Sequence, residues 1–144
     1  MKKIFISLLF SMLFASNSFA GIYSSATQGG NSRIIAAVEI EDAGIMNLIV
    51  SVEFLTKPQD SKIYGSDEYG KLLQRLQVEW KSAALQKILE SRRLRRSDLV
   101  MLKNSIHSEI EILIKQLKKK IIPDTDVEVI FAISDFYLLV PREG

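Results

Sequence analysis

Over residues 33–41 the apolar Ile34, Ala36, Val38 and Ile40 alternate with Arg33, Glu39 and Glu41 at the other parity. Successive side chains of an extended chain point to opposite faces, so this pattern predicts a half-buried strand. Asp42-Ala43-Gly44 supplies turn chemistry. Leu48, Val50, Val52 and Phe54 then line one face of 46–56, with Asn47, Ser51 and Glu53 on the other, and the two segments are expected to form an antiparallel hairpin packed on one side only. Pro58, Gly65 and small polar residues in 57–66 end the second strand. The period then changes. Tyr69, Leu72, Leu73, Leu76, Trp80, Ala83, Ala84 and Ile88 recur at helical spacing behind the caps Ser66-Asp67, which predicts a helix ending around Ser91. Ser97-Asp98 offers a second helix start, followed by a stripe of Leu99, Leu102, Ile106, Ile110, Leu113 and Leu117. Lys118, Lys119 and Lys120 sit where the helix dipole favours cations, and Pro123 stops the helix just before Ile122. Finally Val127, Val129, Phe131 and Ile133 alternate with Glu128 and Ala132, and 136–140 is almost wholly apolar, predicting a strand covered on one face and partly on both.

The order strand, strand, helix, helix, strand defines an α+β class: a small antiparallel or mixed sheet (β-β-α-α-β) with two helices packed on one face. With short connections the last strand fits either antiparallel beside the second or parallel beside the first. Trp80, Phe54, Phe131 and the leucines of both helices are the expected core. No internal repeat or composition break divides residues 33–144, which read as one domain.

The residues ahead of that domain follow a different logic. Lys2-Lys3 precede an apolar run over 4–15 that closes in Ser16-Asn17-Ser18-Phe19-Ala20, the pattern of a secretory signal peptide over 1–20 with cleavage before Gly21. The rival reading is an uncleaved segment anchoring the chain in the inner membrane, but a spanning helix needs about 20 apolar residues and Ser7 and Ser11 interrupt this run. Residues 21–32, with Gly29-Gly30, read as a flexible leader to a periplasmic domain. The chain has no cysteine, which excludes disulfides and a lipid-modified cysteine. Charge changes with processing: 19 basic residues face 17 acidic ones, and Lys2 and Lys3 leave with the signal. The remaining domain is near neutral, so no global pull toward nucleic acid or anionic membrane is expected.

No set of residues forms a catalytic, cofactor or metal site, and the chain is not expected to be an enzyme or to take a small-molecule substrate. His107 is the sole histidine, with only Glu111 near it on its helix, and reads as a solvent-facing residue. Ser134-Asp135 interrupts an apolar strand and marks a bulge or an exposed edge position. Glu39/Glu41 and Glu109/Glu111 read as solvated faces. One local patch stands out. Arg92, Arg93, Arg95 and Arg96 surround Leu94 between the two helices, where four guanidiniums can grip an acidic partner, each offering a planar fork of donors. The competing reading is a solvated turn. Nucleic acid is not expected as its ligand, because an exported chain would not meet it and no aromatic residues are interleaved with the arginines.

From Arg33 onward the chain resembles the periplasmic domain of the flagellar basal-body-associated protein FliL family. Ala37-Val38-Glu39-Ile40-Glu41 and Leu48-Ile49-Val50-Ser51-Val52-Glu53-Phe54 are similar to that family's opening strands. Ala84-Leu85-Gln86-Lys87-Ile88-Leu89-Glu90-Ser91 followed by Arg95-Arg96-Ser97-Asp98-Leu99 is similar to its helix, polar break and second helix. Val127-Glu128-Val129-Ile130-Phe131-Ala132-Ile133-Ser134-Asp135-Phe136-Tyr137-Leu138 resembles its final strand. The resemblance implies a non-enzymatic accessory of the flagellar motor, a possible homo-oligomer whose partners are stator or basal-body proteins. The family carries an N-terminal transmembrane helix, whereas this chain has a signal-like run. A periplasmic binding or chaperone-like protein with another client is the alternative.

Overall fold

The computed structural model describes residues 24–25, 33–91 and 93–140. The expected signal peptide, most of the leader and Arg92 lie outside the described residues. The elements are β1 (Ser24–Ser25), β2 (Arg33–Ile40), β3 (Gly44–Pro58), α1 (Asp67–Glu90), α2 (Leu99–Ile121) and β4 (Val127–Leu139), with short 3-10 turns at Ser61–Ile63 and Arg96–Asp98. The fold is α+β.

The hairpin forms where the turn residues predict it. The Ala43 N–H donates to the Ile40 carbonyl at 3.1 Å, and Gly44 follows at φ 73°, a left-handed conformation that a side chain disfavours. β3 is the central strand. It pairs β2 from Arg33↔Ser51 to Ile40↔Gly44 and, along its other edge, β4 from Asn47↔Leu139 to Pro58↔Val127, both antiparallel. Of the two placements open to the last strand, it takes the antiparallel one beside the second. β3 has 15 residues against 8 in β2, so it offers β4 the longer ladder. That overrun also changes the leader: within 21–32, Ser24 and Ser25 are not flexible coil but pair Thr56 and Leu55 as β1, on the part of β3 that β2 does not reach.

A bulge in β4 re-phases its alternation. Ser51 pairs Asp135 while Val52 pairs Ile133, which leaves Ser134 as the extra residue. Val129, Phe131 and Ile133 face the core before the bulge, and Phe136 and Leu138 face it afterwards. The apolar run after Asp135 therefore serves two faces, with Tyr137 and Leu139 outside.

Both helices lie on one face of the sheet. Ser66 Oγ caps α1 by accepting from the Tyr69 N–H at 3.2 Å, and Tyr69, Leu72, Leu76, Trp80, Ala84 and Ile88 bury its inner stripe. The buried Tyr69 hydroxyl shares a 2.7 Å hydrogen bond with Thr56, tying the first turn of α1 to β3. α2 departs from expectation at two places. Its start is not capped by Ser97-Asp98; the Asp98 carboxylate instead accepts from the Arg95 N–H at 2.9 Å across a 3-10 turn, and the helix begins at Leu99. Its stripe runs through Ile114, with Leu113 only partly buried, because steps of four from Leu102 through Ile106 and Ile110 reach Ile114. The ammonium of Lys87 lies 3.1 Å from both Glu109 of α2 and Glu90 of its own helix, and these carboxylates, Glu109 first, raise its pKa.

Candidate functional site: the arginine loop and the open sheet face

The segment between the helices is held by its one apolar residue. α1 ends at Glu90, and the Ser91 N–H and hydroxyl satisfy the Ile88 and Lys87 carbonyls. Leu94 then turns inward and is 5% exposed, among the core residues. Its N–H donates to the Glu39 carbonyl and its carbonyl accepts from the Glu41 N–H, both at 2.9 Å, a single parallel bridge beside Ile40. The loop is thus a one-residue addition to the edge of β2.

With Leu94 pointing in, its neighbours point out. Arg93 Nε lies 3.5 Å from Glu39 Oε1 and Arg95 Nε 3.6 Å from Glu41 Oε2. The two glutamates expected to be a solvated face therefore have partners, and the arginine turn is not simply solvated. These contacts are ion pairs at the limit of hydrogen-bond length, between side chains that are roughly half or more exposed. Such pairs contribute little, about 0–1 kcal/mol each, and leave the guanidinium forks open to a stronger acceptor. Arg96 is exposed in the adjoining 3-10 turn. The structure brings Arg93, Arg95 and Arg96 together at one edge of the sheet; Arg92 lies outside the described residues.

The face of the sheet away from the helices is the second surface. A polar row crosses three strands: Arg33 Nε donates to Ser51 Oγ at 3.2 Å, and Arg33 Nη2 to Asp135 Oδ2 at 3.1 Å. The next row, Ile35–Ile49–Tyr137, is apolar. Ile49 is buried, while Ile35 and Tyr137 are 64% and 42% exposed, and Ile45 and Leu139 on the same face are exposed too. At this parity Ile35, Ile45 and Ile49 are interspersed with the polar Arg33, Asn47 and Ser51, and the even spacing of the three isoleucines is the sequence signal for the patch.

Asp135 is half-buried beside the bulge. A hydrogen bond from the Ser51 hydroxyl, then one from Arg33, lowers its pKa below the ordinary carboxylate value. A depressed native pKa stabilises the fold above the unfolded pKa, about 3.9, and that contribution is lost as pH falls through the native value. Asp135→Asn should therefore flatten the acid limb of the stability profile. Urea midpoints between about pH 5 and 2 test this, and an unchanged profile in the variant would dismiss the carboxylate's role.

His107 packs on Phe131 with ring centroids 4.5 Å apart, and its Nδ1 lies 3.9 Å from Glu111. Its side chain stays half exposed, in keeping with a solvent-facing residue. Among the described residues no group of His, Asp and Glu is arranged to hold a metal ion, and no helix is long and apolar enough to cross a membrane. The fold and surfaces define a small α+β domain with an arginine loop fixed to one sheet edge. Comparison with known proteins gives no match to any family model, curated protein or solved structure.

Proposed function

We propose that this chain is a non-enzymatic assembly protein of the bacterial periplasm, an accessory of the flagellar motor that engages stator or basal-body proteins. The observation that carries this reading is the arginine loop: its backbone is fixed to the sheet edge by a buried leucine and two hydrogen bonds, and exposed guanidiniums project from it. Loose ion pairs to Glu39 and Glu41 keep the loop balanced when free, and an acidic partner segment replaces them on binding. The exposed Ile35, Ile45 and Tyr137 supply apolar area for assembly with further copies. The motor assignment comes from the resemblance of 33–144 to the FliL family, and periplasmic export from the signal-like run at 1–20.

Deleting the gene and scoring swimming separately from flagellar number tests the assignment. Fewer motile cells with normal filament counts is the expected result; normal swimming would leave a periplasmic binding protein with another client. Within that assay, Arg93→Gln with Arg95→Gln should cost no more than about 1 kcal/mol of stability, because both side chains are exposed. Complementation should nevertheless fail. Normal melting with full complementation would return these arginines to a solvated turn with no partner.

A further inference from the structure

β3 pairs one edge of β4, and among the described residues no strand pairs the other. A strand with one neighbour directs alternate backbone N–H and C=O groups away from the sheet, and native edges are commonly blunted by lysine, proline or a bulge. β4 contains neither lysine nor proline, and its bulge at Ser134 leaves 129–133 as regular strand. Beside that segment lies a groove of about 390 Å³. It touches Val129, Ile130 and Phe131 on the strand and Ile114, Lys115 and Lys118 on α2, with His107 and Glu111 beyond. Ile130 points to the opposite face from Val129 and Phe131, so a groove that meets all three follows the edge of the strand. Its wall is apolar at Ile114 and Phe131. Lys115 and Lys118 line it as well, and neither has an ion-pair partner among the described residues.

We propose that this edge takes an extended segment of a partner protein that adds as a strand beside β4. On the side facing α2, the segment presents an aliphatic residue and, two positions along, an acidic one. Side chains two apart share a face of a strand, so the aliphatic group enters against Ile114 and Phe131 while the carboxylate meets Lys115 and Lys118. Backbone pairing supplies the affinity and the groove selects the side chains. The arginine loop lies on the β2 side of the sheet, so either surface can fail without the other.

The test uses the full chain as the cell processes it, titrated with a labelled nine-residue peptide in which threonine alternates with valine and glutamate in turn. The comparison peptide has lysine in place of glutamate. The glutamate peptide is expected to bind about tenfold tighter, as two surface charge contacts allow. Lys115→Glu with Lys118→Glu, checked for normal melting, should reverse the preference. The glutamate peptide N-methylated throughout, which keeps its side chains but removes its donors, should lose binding by at least about tenfold. Equal binding of both peptides, or full binding of the N-methylated one, overturns the proposal. So does a concentration-dependent dimer abolished by the charge-reversed variant, which would seat a second copy on this edge.

Discussion

Trp80→Ala is expected to lower the unfolding free energy by about 3–5 kcal/mol, the usual cost of emptying a buried tryptophan site. Trp80 is 1% exposed and is among the largest fully buried side chains of the fold. It sits midway along the inner stripe of α1, between Leu76 and Ala84, on the face turned to the sheet. Neither neighbour can move into the vacated volume without breaking the helix register. A domain of this size has only about 5–15 kcal/mol to lose, so the thermal midpoint should fall by about 10–20 °C. Val78 is the internal comparison. It lies two residues away on the outer side of the same helix and is 60% exposed, so Val78→Ala should change stability by less than about 0.5 kcal/mol. Thermal and urea melts of the two variants check the register of α1 in one experiment, and equal midpoints would overturn it.

Local periodicity made most of the fold legible in advance. The inward parity of Ile34, Val38 and Ile40, and that of Leu48, Val50, Val52 and Phe54, is the parity found buried. The bulge was legible too, because a serine and an aspartate that break an apolar run have few other places to go. What sequence spacing does not encode is adjacency between distant segments. The direction of the last strand followed from the order of elements, but two positions in the sheet satisfied that direction equally. The ladder with the 15-residue β3 decides between them. Similarly, Glu39 and Glu41 look solvated in their own strand, and their arginine partners come from a loop that folds back only after α1 has crossed the sheet. Helix phase drifts for a related reason: Leu113 and Ile114 are adjacent, both near the inner face, and only packing chooses which is covered.

Leu94 is the residue whose role was least visible, enclosed in sequence by four arginines, and it supports the second large prediction. Leu94→Ala should cost about 2–3 kcal/mol, toward the lower end of buried leucine truncations, since the cavity opens at a sheet edge where neighbours can relax. The backbone bonds to Glu39 and Glu41 can still form, but with less holding the loop against the sheet they should open more often. Amide exchange separates this local effect from global unfolding. The Glu41 and Leu94 amides should lose protection more than those of Val50 and Val52 in the central strand, and uniform loss would mean that the loop is no independent unit. Arg93→Gln with Arg95→Gln makes the opposite change, removing charge while leaving the anchor. If Leu94→Ala remains folded at growth temperature yet fails to complement the deletion, the guanidiniums are present but no longer held at the edge of β2. Function would then require their placement as well as their charge.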